Sequence, residues 1–201
     1  MTTNADKILV ILDLDETLIH ATDKPCDEHW DFEVFHYKVY KRPFLEEFLT
    51  GLAGNFDVAV WSSASDDYVA LVVKEIFPSD YPLRFVWGRS RCTYKPDYRL
   101  LDEFGFHDPF SHYDYVKRLD KVRRLGYSKE RMLIIDDTPR KCIHNYGNAI
   151  YPAEYLGGIN DNELLLLLRY LSTLKDLDTV RHTEKRNWRD EAQKLISPGK
   201  T

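Results

Sequence analysis

The chain has 201 residues, 43% hydrophobic and 13% aromatic, enough apolar material for one substantial core without disulfide or metal staples. Its charged fraction of 30% is mixed in sign and nets −5, which excludes a broad electropositive surface for nucleic acid or anionic lipid but leaves room for a local basic pocket. Cys26, Cys92 and Cys142 show no CxxC spacing, so they indicate neither a disulfide framework nor a zinc site and suit a reducing compartment.

Residues 7–12 are a nearly unbroken β-branched and leucine run ending at Asp13, the pattern of a central parallel strand covered on both faces. Pro43 is placed to open a helix in which Phe44, Leu45, Phe48, Leu49 and Leu52 recur at helical spacing before Gly54. A second strand is expected over residues 56–61. Asp66 is placed to cap a helix carrying Tyr68, Val69, Leu71, Val72 and Ile76, which Pro78 terminates. Leu83–Trp87 reads as a third strand. Residues 87–114, rich in aromatics, Gly, Pro and Asp, read as a small strand-and-loop insertion. Residues 117–125 have the pattern of a basic amphipathic helix ended by Gly126, Met132–Ile135 that of a fourth strand delivering Asp136, and residues 149–152 that of a fifth. Residues 162–174 form a leucine-rich helix, and the polar segment after Asp176 is expected to be a loosely held terminal helix or tail.

Strands alternating with helices through short connections predict an α/β fold, a doubly wound parallel sheet, with ligands bound beyond the carboxyl ends of the strands. One domain over residues 1–175 with a tail over 176–201 is the expected organisation, since no repeat or Gly/Ser linker divides the chain. The N-terminus passes directly into a strand, and the dense leucine run at 164–168 is too short to cross a bilayer. A soluble, cytoplasmic protein with no membrane partner is expected.

The chemistry gathers at two strand ends. Asp13 and Asp15 stand two apart, so strand geometry sends both carboxylates to one side while Leu14 turns into the core. Two carboxylates in one pocket repel unless a cation or shared proton relieves them, and oxygen-only ligands suit magnesium. Asp136 brings a third carboxylate from another strand end, with Asp137 beside it. Seven histidines are scattered without a ligand pair such as HExxH. The aromatics Trp30, Tyr37, Tyr40, Phe85 and Trp87 read as packing more readily than as a peptide groove.

DLDETL, VWSSAS, YVK and LIIDDTP occur in the order of four motifs, and on them residues 7–174 resemble the haloacid dehalogenase superfamily, in its RNA polymerase II C-terminal-domain phosphatase-like (NLI-interacting-factor-like) branch. The resemblance implies a Rossmann-like fold of the capless type with a small insertion between the second and third motifs. It implies Asp13 as the nucleophile that forms an aspartyl-phosphate and Asp15 as general acid and base. Thr17 would position Asp15 or the phosphate, and Ser62 would hydrogen-bond the transferring group. Mg²⁺ would be held by Asp13, the Asp15 backbone carbonyl and Asp136. For the third-motif cation Lys117 is chosen, with Lys121 and Lys95 as competitors. Arg89 falls where the branch places a phosphate-contacting arginine. Asp137 replaces the asparagine common in the small phosphatases and would order a metal-bound water from outside the ligand shell.

The modest intervals between motifs leave no room for an independent cap, which implies an open cleft and a phosphoserine/phosphothreonine protein substrate. A phosphatase of small phosphomonoesters or nucleic-acid ends is the alternative enzyme reading, and a non-catalytic binding module the reading from another class.

Overall fold

A computed structural model describes residues 7–25, 29–96, 105–106 and 113–196. The first apolar run becomes strand β1 (Leu9–Leu12), buried along its whole length. A small antiparallel sheet follows, made of β2 (Ile19–Thr22), β3 (Phe32–Val34) and β4 (Tyr37–Lys41) in the order β2-β4-β3. Helix α1 (Leu45–Asn55) leads into β5 (Asp57–Trp61), and α2 (Asp66–Ile76) leads into β6 (Leu83–Trp87). The antiparallel pair β7 (Thr93–Pro96) and β8 (Tyr113–Val116) precedes a single-turn helix, α3 (Asp120–Arg123). Strands β9 (Met132–Ile135) and β10 (Ala149–Ile150) complete the main sheet before helices α4 (Glu163–Leu174) and α5 (Trp188–Lys194).

The main sheet is parallel, in the order β10-β9-β1-β5-β6. Leu12 stands beside Ile135 on one side and Val60 on the other, so the three central strands end nearly level. Side-chain alternation splits the core into two layers. Val10, Leu12, Val58, Val60, Leu133 and Ile135 face α1, α2, α4 and α5. Leu9, Ile11, Ala59, Trp61, Met132 and Ile134 face the opposite layer, closed by Leu119, Val122, Cys92 and Cys142. This is why β1 and β9 are apolar at every position: each fully buried aliphatic side chain contributes roughly 1.5–3 kcal/mol, and no position faces water.

Three expectations need correcting. Residues 117–125 do not form one helix: only Asp120–Arg123 is helical, and Lys117 directly follows β8, its backbone N–H donating to the Lys141 carbonyl at 2.8 Å. The pairing of β8 with β7 outweighs the basic amphipathic pattern. The segment after Asp176 is not loosely held as far as residue 196, since Val180, Trp188 and Ala192 are buried against the α4 layer. Trp188 Nε1 also donates to the Tyr151 carbonyl at 3.2 Å, and Arg189 pairs with Glu163. Asp66 is the first helical residue of α2 rather than its cap, which is Ser65; the Asp66 carboxylate accepts from Ser90 Oγ at 3.0 Å. Within the insertion, residues 97–104 and 107–112 lie outside the described residues. Among the described residues no helix is long and apolar enough to cross a membrane.

Candidate active site

Asp13 and Asp136 are each the first residue past a central strand, and each continues the ladder through its backbone. Asp13 N–H donates to the Ile135 carbonyl at 2.9 Å and Asp136 N–H to the Ile150 carbonyl at 3.2 Å. Ser62 likewise leaves β5 with its N–H on the Trp87 carbonyl at 2.9 Å. The sheet thus delivers these three residues to one edge as a direct result of strand length and register.

Beyond Asp13 the chain folds back tightly. The Leu14 carbonyl accepts from the N–H groups of Thr17, Leu18 and Ile19, and Glu16 takes a left-handed conformation at φ 57°. That turn buries Leu14 and brings Asp15 back toward the strand ends. Arg42, wholly buried, braces the turn from behind. Its guanidinium donates to the Thr17 carbonyl at 2.9 Å, to the Ala153 carbonyl at 2.9 Å, and to both oxygens of Asp161 at 3.0 and 2.8 Å.

Lys117, also wholly buried, lies 2.8 Å from Asp13 Oδ2 and donates to Asp136 Oδ2 at 2.6 Å. Burial alone would favour its neutral form, but the two carboxylates outweigh it and hold the ammonium charged. Burial likewise pushes the Asp13 carboxyl up, and Lys117 and Lys141 overcome that push and hold it below its ordinary value. Asp136 is pushed up to about 6, by burial first and then by the negative charge of Asp13. Of the competing lysines, Lys121 is tied by its ammonium to the Arg91 and Cys92 carbonyls at 2.7 and 3.0 Å, and Lys95 is exposed on β7.

Asp15 lies outside the cluster of carboxylate oxygens formed by Asp13, Asp136 and Asp137 and has partners of its own. Tyr68 Oη donates to its Oδ1 at 2.6 Å, and Ser62 Oγ reaches its Oδ2 at 3.4 Å. Burial raises its affinity for a proton, with the Asp13 charge adding to the effect and the Tyr68 hydrogen bond opposing it. Glu16 is pushed up to about 8 by burial and by Asp15 and Asp137.

Thr17 has a different partner from the one expected. Its hydroxyl donates to Asp137 Oδ1 at 3.2 Å and accepts the Asp137 N–H at 3.1 Å, so it fastens the first acidic loop to the second. Carboxylate oxygens of Asp13, Asp136 and Asp137, the last expected outside the ligand shell, all lie within 4.8 Å of one another. Three hard oxygen donors at that separation fit Mg²⁺ or a similar divalent cation.

Arg89 stands at the rim. Its Nε donates to the Ser63 carbonyl at 2.9 Å and its guanidinium lies over the Tyr115 ring at 5.2 Å. With Asp15, Glu16, Phe35, Tyr37 and Tyr68 it lines an open cleft of about 310 Å³. Tyr37 therefore reaches the cleft, whereas Phe85 stacks on Trp87 at 4.2 Å and packs on the second core layer. Sequence reasoning missed four residues. Tyr68 is hidden by the helical spacing of α2, Arg42 and Lys141 have no motif of their own, and Glu16 gives no signal beyond adjacency to Asp15.

Known proteins place the same arrangement in context. The solved structure of Fcp1, an essential RNA polymerase II CTD phosphatase, superposes at a TM-score of 0.55 and 16% identity, covering 96% of this chain and 63% of that one. A haloacid dehalogenase-like hydrolase from Xanthomonas campestris superposes at 0.52 and 9% identity, covering 86% of this chain and 97% of that one. In sequence, the chain is 30% identical over 184 residues to the human carboxy-terminal domain RNA polymerase II polypeptide A small phosphatase 1, covering 88% of this chain and 63% of the relative. A Dictyostelium discoideum CTD small phosphatase-like protein 2 is 29% identical over 185 residues, and 29% of its length is spanned. The chain thus spans less than two thirds of these curated relatives. The profile of the NLI interacting factor-like phosphatases matches residues 8–181, a stretch that contains every carboxylate and lysine of the site, and the chain belongs to that family.

Proposed function

We propose that the chain is a Mg²⁺-dependent phosphoric monoester hydrolase that works through an aspartyl-phosphate on Asp13 and acts on phosphoserine or phosphothreonine in proteins. The observation that carries this reading is the division of labour between two carboxylates two residues apart. Asp13 is held ionised beside Lys117, as a nucleophile must be, and Asp15 is pushed toward its protonated form and aimed by Tyr68.

Asp13 Oδ1 accepts the Leu14 N–H at 2.9 Å, and Oδ2, charge-paired with Lys117 at 2.8 Å, is the oxygen assigned to attack. As the bond from Oδ2 to phosphorus forms, the bond to the leaving oxygen breaks and Asp15 delivers its proton there. Asp15, now a carboxylate, takes a proton from water as that water attacks phosphorus. The acyl-phosphate bond then breaks, returning Asp13 and inorganic phosphate. Asp13, Asp136 and Asp137 would hold Mg²⁺, whose charge when bound lets an anionic nucleophile meet an anionic phosphoryl group. The acidic balance of the site supports such a need: among the described residues, Asp13, Asp15, Glu16, Asp136 and Asp137 stand against the ammoniums of Lys117 and Lys141, with Arg89 at the rim.

The substrate class rests on the cleft, which is open, aromatic on one wall and cationic at Arg89. It suits an extended phosphopeptide better than an enclosed metabolite. The two described cysteines, free and buried, suit a reducing, cytoplasmic setting.

The test uses p-nitrophenyl phosphate with Mg²⁺, then a phosphopeptide library. Turnover is expected to vanish in excess chelator and in Asp13→Asn, and beryllium fluoride is expected to occupy Asp13 in a crystal. Full turnover after verified metal removal, or beryllium fluoride on Asp136, refutes the mechanism. A preference for small phosphomonoesters over every phosphopeptide refutes the substrate class alone.

A further inference from the structure

Lys141 lies on the single 3₁₀ turn Pro139–Cys142 that follows the second acidic loop. Its Nζ is 3.6 Å from Asp13 Oδ2, the oxygen assigned to attack, which Lys117 approaches at 2.8 Å. The Lys141 distance is too long for a hydrogen bond, and its ammonium makes none among the described residues. The side chain is nonetheless four-fifths buried, with 21% of its surface exposed. Its Nζ is not sealed from solvent, so its three donors stand open to an oxyanion that enters beside Asp13.

Lys117 presents the opposite case. It sits at the same Asp13 oxygen but has no exposed surface and is already shared between Asp13 and Asp136. A phosphoryl group bonding to Asp13 Oδ2 from the cleft brings its equatorial oxygens into the space beside Lys141, whose donors are free to meet them. We propose that Lys141 is a catalytic residue, a second phosphate-contacting cation whose ammonium donates to the transferring phosphoryl group while Lys117 keeps the aspartates charged and placed. This rests on the hydrolase reading for its rate effect but not for the contact itself, which is binding of a tetrahedral oxyanion.

Substitution at this position is clean, because the Lys141 backbone carbonyl keeps its bond to the Lys117 N–H whatever the side chain. The experiment compares the full chain with Lys141→Met and Lys141→Arg, with Lys141→Gln as a second neutral variant should the methionine protein fold poorly. Turnover of p-nitrophenyl phosphate is read alongside calorimetric binding of inorganic phosphate, both in Mg²⁺. Lys141→Met is expected to lose turnover by on the order of 10²-fold, the scale for one donor lost from a developing charge. It is also expected to weaken phosphate binding by about tenfold or more, the effect of roughly 1.4 kcal/mol. Arginine is expected to restore part of both.

Neutral variants within threefold of the unmodified chain in both measurements overturn the proposal. So does lost turnover with unchanged phosphate affinity, since Lys141 would then act only by positioning Asp13. A chain that binds phosphate through Lys141 but hydrolyses nothing sinks the hydrolase reading and leaves this one standing. One that neither binds nor hydrolyses sinks both.

Discussion

Lys117→Met keeps the length and apolar stem of the side chain and deletes the charge that Asp13 and Asp136 share. Both carboxylates are sealed from water, at 1% and 0% exposure. Breaking a buried ion pair by removing one partner costs about 3–5 kcal/mol, because the remaining charge is left uncompensated. Unfolding entropy near 60 °C is about 2.1 cal/mol/K per residue, or roughly 0.4 kcal/mol/K for this chain, so that cost lowers Tm by about 7–12 °C. The sign with pH follows from Asp13. Pairing holds its carboxyl below the ordinary 3.8, so the stability it adds is fully present above that value and fades as pH falls through the folded-state value. The variant's deficit is therefore largest near neutrality and shrinks in strong acid. Scanning calorimetry in chelator and again in saturating Mg²⁺ makes the measurement, and Mg²⁺ is expected to recover more Tm in the variant than in the unmodified chain, because a bound cation replaces part of the lost charge. A Tm within 3 °C of the unmodified chain at pH 7 in chelator would refute Lys117 as the charge partner of both aspartates.

Tyr68→Phe keeps the ring against Tyr37 and Phe35 and removes only the 2.6 Å hydrogen bond to Asp15. A hydrogen bond to a charged group contributes about 1.5–3 kcal/mol, so kcat on p-nitrophenyl phosphate is expected to fall roughly 10- to 150-fold with Tm lowered by no more than about 4–7 °C, and a loss of kcat below threefold would show that Tyr68 does not aim Asp15. Because that bond opposes the rise in the proton affinity of Asp15, the alkaline limb of the variant's pH–rate profile is expected to move upward. Arg42→Lys retains the charge but not the fork that serves the Thr17 and Ala153 carbonyls and both oxygens of Asp161. Denaturant unfolding is expected to show a loss of about 1–3 kcal/mol, the cost of a buried carbonyl left without its donor, and a loss under 1 kcal/mol would mean that the first acidic loop does not depend on this brace.

The sequence by itself determined the sheet and the carboxylates at its edge. In a parallel sheet buried on both faces the only way to build β1 and β9 is from unbroken aliphatic runs, and the first polar residue after such a run is the one that leaves the sheet, so Asp13 and Asp136 announce themselves within six-residue windows. Met132–Ile135 matches the structure residue for residue for the same local reason, and Leu83–Trp87 also matches although it is an edge strand of alternating half-buried and exposed residues. The order of motifs along the chain added Ser62 and Lys117, which local pattern alone would have left as a turn serine and the start of a helix. Only the tertiary structure decided what those groups touch. Tyr68 meets Asp15 across 53 residues, Arg42 meets Asp161 across 119, and Thr17 meets Asp137 across 120. Nothing in the spacing of Tyr68 separates a core tyrosine from one whose hydroxyl holds the Asp15 carboxylate, since both occupy the buried stripe of α2. Lys141 is written in the sequence like any lysine on a polar turn. Its character comes from packing that sets its ammonium 3.6 Å from the Asp13 carboxylate, far earlier in the chain, which no window of residues encodes.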